Sequence, residues 1–370
     1  MIERPLEHIS SADLATLVTQ RRAEGRRLDF KLKFPDAGDK AVRELLADVS
    51  SFANTDGGDI LLGVGEDGNG VADDIAGVPT ESLDADILRI EGQIRDCLDP
   101  RLPSFHVQPV PLENGRVVVI LRVGASLLAP HRVTHKGSSR FFARNSRGKF
   151  EMDTSELRLA FAATDEMPRK LRDLHGRAIT ATEGLDMPCR LAADPAVVLT
   201  IAPLSILREA RDIAITRETA VLPPRLSGYE FVVGLEGVIV HSPIDEDTNA
   251  VRTWAVNHRR GYIDFAWSIG RRTEDDSLIW RQYFEELPGL ARASVARLRT
   301  FGMEGPWVAM ATIKGAVGFR MVLGDSYPTK RAWQDPASLG EVIDDALGPE
   351  SLAPFVDRFW RLFGMERPPA

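Results

Sequence analysis

Residues Leu28 to Gly70 read LDFKLKFPDAGDKAVRELLADVSSFANTDGGDILLGVGEDGNG. Between Lys40 and Ala53, the residues Val42, Leu45, Leu46, Val49, Phe52 and Ala53 recur at intervals of three and four, which draws one apolar stripe along a helix. That stripe needs a sheet to pack on. Asn54 tolerates left-handed backbone, and Gly57 and Gly58 carry no β-carbon, so the helix is expected to stop there and the chain to turn into a strand, Ile60 to Val64. Upstream, side chains alternate along Leu28 to Lys31. Leu28 and Phe30 are therefore expected on a buried face, and Asp29 and Lys31 on the other.

If the two strands lie side by side, Glu24, Asp29, Lys31 and the Glu66-Asp67 pair come to one rim. Several carboxylates with one lysine suit a hard divalent cation, Mg2+ or Mn2+, that activates water on a phosphodiester. The loop GVGEDGNG lacks the lysine and hydroxyl of a Walker phosphate loop, so no nucleotide cofactor is indicated.

Glu24, then LDFK, then SFANTDGGDILLGVGEDGNG closely resembles the N-terminal module of the Schlafen AlbA-like family. That family is widespread in bacteria as a nucleic-acid-binding domain and occurs in animal Schlafen proteins as an endoribonuclease core. The resemblance implies a metal-dependent site for cutting structured RNA. Carried over by motif, its catalytic residues are Glu24, Asp29 and Asp67, with Lys31 beside the phosphate, and its metal ligands come from Glu24, Asp29, Glu66 and Asp67. Glu66 competes with Asp67 for the third place. Where the family commonly has glutamate before FK, this chain has Asp29, shorter by one methylene. FANTDGG is the most specific part of the match, with Asn54 and Thr55 expected to tie down the helix end.

The positive charge is concentrated in one segment. His131 to Lys149, HRVTHKGSSRFFARNSRGK, holds Arg132, Lys136, Arg140, Arg144, Arg147 and Lys149 and no Asp or Glu. Cations bound to phosphates would supply a salt-dependent, sequence-tolerant affinity for RNA or DNA. The resemblance extends here, since a strand of the FxARNS type followed by a helix closes the AlbA-like module. Asp153 and Glu156 form a capping box for that helix. The competing reading is that the segment neutralises acidic neighbours.

Elsewhere composition sets limits. The chain has 370 residues, 44% apolar and 27% charged, enough for two domains with their own cores. A net charge of -8 argues against a protein that coats nucleic acid with its whole surface. Cys97 and Cys189 lack ligand spacing and fit a reducing, cytoplasmic setting. No signal peptide and no membrane span are expected.

In order, helices are expected over about Ala12 to Ala23 and Leu83 to Leu98, and strands over Phe105 to Val110 and Arg116 to Val123. A boundary falls between Thr164 and Pro195, with a bridging helix near Lys170 to Ile179. Beyond it, strands are expected at Ala196 to Ile201, Phe231 to Leu235, Gly237 to His241, Ala250 to Val256, Tyr262 to Ile269, Pro306 to Ile313 and Gly318 to Val322. Helices are expected at Pro203 to Ala214, Ser277 to Leu287, Gly289 to Phe301, Leu339 to Leu347 and Leu352 to Gly364. The fold class is α+β: a mixed α/β AlbA-like module over 1–165, a linker over 166–195 and a second α+β domain over 196–370 without a motif that carries chemistry. Three functions fit: a nucleic-acid-binding protein, acting as a homodimer or higher oligomer; a divalent-metal-dependent endoribonuclease using the same face; and a ligand-sensing or partner-binding scaffold.

Overall fold

The computed structural model describes residues 1–367 except 3, 209–211, 226, 273–275 and 324–328. The chain is α+β and divides into two units, Met1–Pro168 with Leu207–Glu209, and Arg169–Ile206 with Ala210–Ala370.

The first unit runs α1 (Ser11–Thr19), β1 (Leu28–Lys31), α2 (Asp39–Ala53), β2 (Gly58–Leu62), β3 (Gly65–Glu66), β4 (Ala72–Asp74), α3 (Leu83–Asp96), β5 (Leu98–Asp99), β6 (Phe105–Pro111), β7 (Val117–Val123), β8 (Arg132–Val133), β9 (Arg140–Asn145), β10 (Gly148–Glu151) and α4 (Thr154–Asp165). Its main sheet has the order β1-β2-β7-β6, with β1 parallel to β2 and the other pairs antiparallel. Alternation divides the sheet's side chains between two cores. Ile60, Leu62, Val119 and Leu121 face the apolar stripe of α2 and Ile90 and Ile94 of α3. Leu28, Phe30, Leu61, Val118 and Ile120 face Leu14 and Leu17 of α1 and the N-terminal Leu6 and Ile9. Both faces of β1 are thus covered, which buries Asp29 instead of leaving it at an open rim. A second sheet, β10-β9-β8-β5, lies beside α2; Asn54 fastens it by donating to the carbonyls of His131 and Phe142 and accepting the His131 amide at 2.6 Å.

The hinge after α2 depends on its glycines. Gly57 has φ +68°, and a β-carbon there would lie 2.7 Å from the Val123 carbonyl oxygen. At Gly58 a β-carbon would meet the Phe52 ring. The helix α1 ends earlier than its apolar pattern predicts, because the Glu24 amide donates to the Gly70 carbonyl at 2.7 Å and Ala23 bridges Val71. That pairing sets Glu24 beside the acidic loop.

The second unit is built on a seven-stranded antiparallel sheet. Its strands, in spatial order, are Glu230–Val233, Gly237–His241, Thr253–His258, Tyr262–Ser268, Ala196–Pro203, Trp307–Lys314 and Ala337–Asp344. The helix Met167–Ala181 starts at the boundary, and its Ala178 packs with Val198, Trp254, Val256 and Ala266. Two expected helices are strands. Ala337–Asp344 is the edge strand beside Trp307–Lys314, its residues alternating between core and solvent, and Ser277–Trp280 pairs with Gly270–Arg272 and Arg320–Val322 before a single helical turn at Arg281–Phe284. Period-two burial in short runs overrode a helical spacing that three or four apolar residues can satisfy by accident. Of the helix expected at Pro203 to Ala214, a 3-10 turn at Leu204–Leu207 is present and 209–211 lie outside the described residues. Among the described residues no helix is long and apolar enough to cross a membrane.

Candidate nucleic-acid interface and its ion network

Leu28 and Phe30 turn toward α1, so the intervening Asp29 turns toward α2 and meets Asp48, an acid set inside that helix's apolar run. Both carboxylates are buried. Arg144 of β9 lies against them: Nη2 donates to Asp29 Oδ1 at 2.8 Å and Nη1 to Asp48 Oδ1 at 3.3 Å. Its Nε donates to the Gly25 carbonyl, and its guanidinium lies 4.2 Å from the centre of the Phe52 ring. Lys31 Nζ donates to Asp29 Oδ2 and sits 3.6 Å from Asp48 Oδ2. Lys149 Nζ lies 2.9 Å from both Asp48 Oδ1 and Glu44 Oε1. Burial opposes the charge on Lys31, but Asp48 and Asp29 outweigh it and hold the ammonium above the ordinary lysine range. Burial, reinforced by Asp29, pushes the Asp48 carboxyl up. Buried charges are tolerated when they are paired in this way, and removal of one partner leaves an uncompensated charge in a poorly solvated site.

Glu24 borders this network. Its Oε1 accepts the Phe30 amide, while burial and then the Asp29 charge push its carboxyl up to about 7, with a smaller push from Glu66. Glu66 and Asp67, adjacent in sequence, part company. Glu66 Oε2 and the Glu24 side chain both approach Gly70, so Glu66 shares Glu24's edge. Asp67 turns into its own loop, Oδ1 accepting the amides of Asn69 at 2.8 Å and Val71 at 3.0 Å and Oδ2 lying 3.3 Å from Arg21. Those amides hold its carboxyl below the usual range.

The residues expected to bind Mg2+ or Mn2+ do not make a fitting donor set. Asp29 has one oxygen on Arg144 and the other on Lys31, Asp67 has both oxygens committed to its loop and Arg21, and Glu24 holds the Phe30 amide. A divalent ion needs several free oxygens converging on one point; here lysine and arginine stand against the central carboxylate. Among the described residues no group of three or more His, Cys, Asp or Glu is placed to hold a metal ion.

The basic segment divides in the same way. Arg144, expected on a nucleic-acid face, has a side chain only 2% exposed, because β9 lies on α2 and aims it at the buried acids. Lys149 is half-buried on Glu44 and Asp48. Arg132 pairs with Asp99, Lys136 with Asp39 and Arg140 with Glu151, with side-chain exposures of 40%, 62% and 63%. Arg147 is exposed at the β9–β10 turn. Exposed pairs contribute only about 0–1 kcal/mol and yield readily to a phosphate, so Arg132, Lys136, Arg140 and Arg147 remain accessible cations.

Beside the network lies an open cleft of about 740 Å³ between β1, β2 and the first three turns of α2. Leu32, Phe34, Leu45, Ile60 and Leu62 give it apolar walls, and both signs of charge line it, Lys31, Lys33 and Lys40 with Asp36, Asp39, Glu44 and Asp48. Lys33 and Lys40 are exposed.

Residues 24–153 match the family profile described as Schlafen, AlbA_2. The N-terminal module belongs to that family. The match takes in the whole of the AlbA_2 module's ion network and cleft. Solved structures similar to part of the chain include two from bacteria. The DIP2311 protein from Corynebacterium diphtheriae is 22% identical with a TM-score of 0.27, over 40% of this chain and 27% of that one. The N-terminal domain of an ATP-dependent DNA helicase RecG-related protein from Nitrosomonas europaea is 24% identical with a TM-score of 0.25, over 40% of this chain and 82% of that one. The matched part is thus about a quarter of the Corynebacterium chain. No curated protein matches.

Asp48 is the residue of the candidate site that the sequence reading missed. Its signal was an acid at helical spacing from Glu44, flanked by Ala47 and Val49 inside a run otherwise buried. A second buried pair, Asp59 with Arg122, was missed too; the two residues stand opposite each other in the β2–β7 register, and Arg122 Nε donates to Asp59 Oδ1 at 2.8 Å.

Proposed function

We propose that the AlbA_2 module binds nucleic acid, RNA or DNA, by phosphate contacts from its exposed cations, without a metal-dependent cleavage step. The observation that carries this reading is the split in the module's positive charge. Arg144 is consumed in the buried network, whereas Lys33, Lys40, Lys136, Arg140 and Arg147 lie exposed around α2 and the β9–β10 hairpin, all within the region matched by the family. Such contacts position a backbone without reading bases. At a net charge of -8 for the chain, the affinity is modest and set by ionic strength.

The test is fluorescence anisotropy of labelled single-stranded and hairpin RNA, and of the corresponding DNA, at several salt concentrations. Dissociation constants of about micromolar or weaker are expected, rising with salt. Arg140→Glu with Arg147→Glu weakens all sequences alike and lowers the salt slope. Absence of binding at low salt, or binding indifferent to both salt and charge reversal, overturns the reading. With Mg2+ or Mn2+ added the RNA is expected to stay intact; cleavage that disappears in Asp29→Asn would establish the endoribonuclease reading instead.

A further inference from the structure

The cleft beside the ion network has features that phosphate contacts alone do not use. Its walls are apolar, formed by Leu32, Phe34, Leu45, Ile60 and Leu62, and its volume, about 740 Å³, falls in the range of small-molecule pockets. Asp48 lines it. That residue is 1% exposed, and its two oxygens are treated differently. Oδ1 takes Lys149 and Arg144, while Oδ2 has no hydrogen-bond partner and has the Lys31 ammonium 3.6 Å away. A buried carboxylate oxygen without a donor is uncommon and costly. A ligand that offered an N–H there would satisfy it. At the same cleft, Lys33 and Lys40 are exposed lysines with no hydrogen-bonded or ion-pair partner among the described residues, whereas the acids beside them are engaged, Asp39 by Lys136, Glu44 by Lys149 and Asp36 by the Gly38 amide.

We propose that this cleft seats one unstacked nucleobase of the bound strand, its flat faces against the apolar walls, an N–H edge toward Asp48 Oδ2 and its phosphate toward Lys33 and Lys40. The inference rests on the proposed nucleic-acid binding and adds a substrate class to it, single-stranded segments with an extrudable base. A nucleobase combines the three properties that the lining requires: an apolar planar body, ring-edge donors, and an anionic group one sugar away. Inorganic phosphate lacks the first two, and an aliphatic ligand lacks the last two. Guanine is the preferred occupant, because its imino and amino donors stand side by side and present an N–H to Oδ2 over a range of tilts. Lys31 Nζ stays on Asp29 Oδ2, 3.6 Å from Asp48 Oδ2, and the incoming N–H gives that oxygen the hydrogen bond that Lys31 does not. Seating one base makes this cleft a source of base preference on top of sequence-tolerant phosphate binding.

The experiment compares guanosine 5′-monophosphate, cytidine 5′-monophosphate and ribose 5-phosphate by calorimetric titration of the full chain. It also compares a single-stranded RNA with the same strand in which its guanosines are abasic. The guanine nucleotide is expected to bind about tenfold or more tightly than ribose 5-phosphate, at the level one seated base contributes, and to compete with the RNA. Ala41→Trp, at a half-buried cleft position on α2, fills the seat and removes nucleotide binding while leaving most of the salt-dependent RNA affinity. Thermal melting of that variant confirms that it is folded. Equal binding of ribose 5-phosphate and the guanine nucleotide, or RNA affinity unchanged by abasic sites and nucleotide binding unchanged by Ala41→Trp, overturns the base seat and leaves the proposed function standing. Failure of every RNA to bind overturns both.

Discussion

Replacing Glu24 with glutamine tests the electrostatics of the acidic edge directly. Burial, then the Asp29 charge, raises the Glu24 carboxyl from 4.5 to about 7. The folded protein therefore holds a proton that the unfolded chain gives up, and the sign follows. This group favours folding below about pH 4.5, and its contribution falls as pH rises from there to about 7, beyond which the penalty is constant. Each pKa unit corresponds to about 1.36 kcal/mol, which puts the ceiling at roughly 3 kcal/mol. Glu24 is only half-buried, and solvent screening reduces the expected gain in Glu24→Gln to about 1–2 kcal/mol at pH 8. Glutamine keeps an oxygen for the Phe30 amide, so the substitution removes the charge and little else. Urea unfolding of both proteins between pH 5 and pH 8 measures the difference, which should be smallest at the acid end and grow with pH. Millimolar Mg2+ should leave it unchanged, since a carboxylate that ligated the ion would be held ionised. A pH-independent difference, a destabilised variant, or a wild type that Mg2+ selectively stabilises at pH 8 would refute the reasoning.

The remaining predictions concern the buried network and the hinge. Arg144→Met leaves Asp29 and Asp48 with too little positive charge and should cost about 3–5 kcal/mol in urea unfolding of the module, whereas Arg147→Met should change stability by less than about 0.5 kcal/mol. Gly57→Val combines a left-handed φ of +68° with a β-carbon 2.7 Å from the Val123 carbonyl and should cost several kcal/mol, on the order of 3 or more; Gly68→Ala, with no atom within 4 Å of its β-carbon, is the control and should be nearly neutral. In the second unit, burial lowers His175 to about 4 from 6.5, so its contribution to stability is complete above pH 6.5 and is lost as pH falls toward 4. His175→Gln should lessen the acid sensitivity of that unit's unfolding in this window, and an unchanged pH profile would count against it.

The Leu28 to Gly70 stretch was legible because local signals and tertiary structure agree there. The stripe on α2 faces the sheet, the glycine hinge has the positive φ that its composition implied, and Asn54 ties the helix end to the neighbouring strands. The Asp153 capping box also forms as its spacing predicts. The environment of Asp29 was less legible, since alternation tells which side chains share a face but not whether a second layer covers that face. Here α2 and β9 cover it. The second unit shows the same limit at the level of elements: Ala337–Asp344 carries both a plausible helical spacing and a strand alternation, and pairing with Trp307–Lys314, 23 or more residues away in sequence, decides between them.

The buried network also explains how a basic segment can belong to a module whose surface is not strongly basic. Asp29 and Asp48 face each other because one strand and one helix each place an acid on their shared interface. Two such charges in a dry site demand cations, and β9 and β10 supply Arg144 and Lys149 from across the module. The strand pair is thereby fixed against α2 by charge as well as by the Asn54 hydrogen bonds. Once fixed, it carries its exposed members, Arg140 and Arg147, on a rigid hairpin and not on a free loop. Under the proposed function, less side-chain and backbone freedom would then be lost when phosphate binds, and the buried arginine would contribute to binding through position, without touching the ligand. That division of labour predicts different signatures for Arg144 and Arg147: loss at the first lowers stability and affinity together, while loss at the second lowers affinity alone.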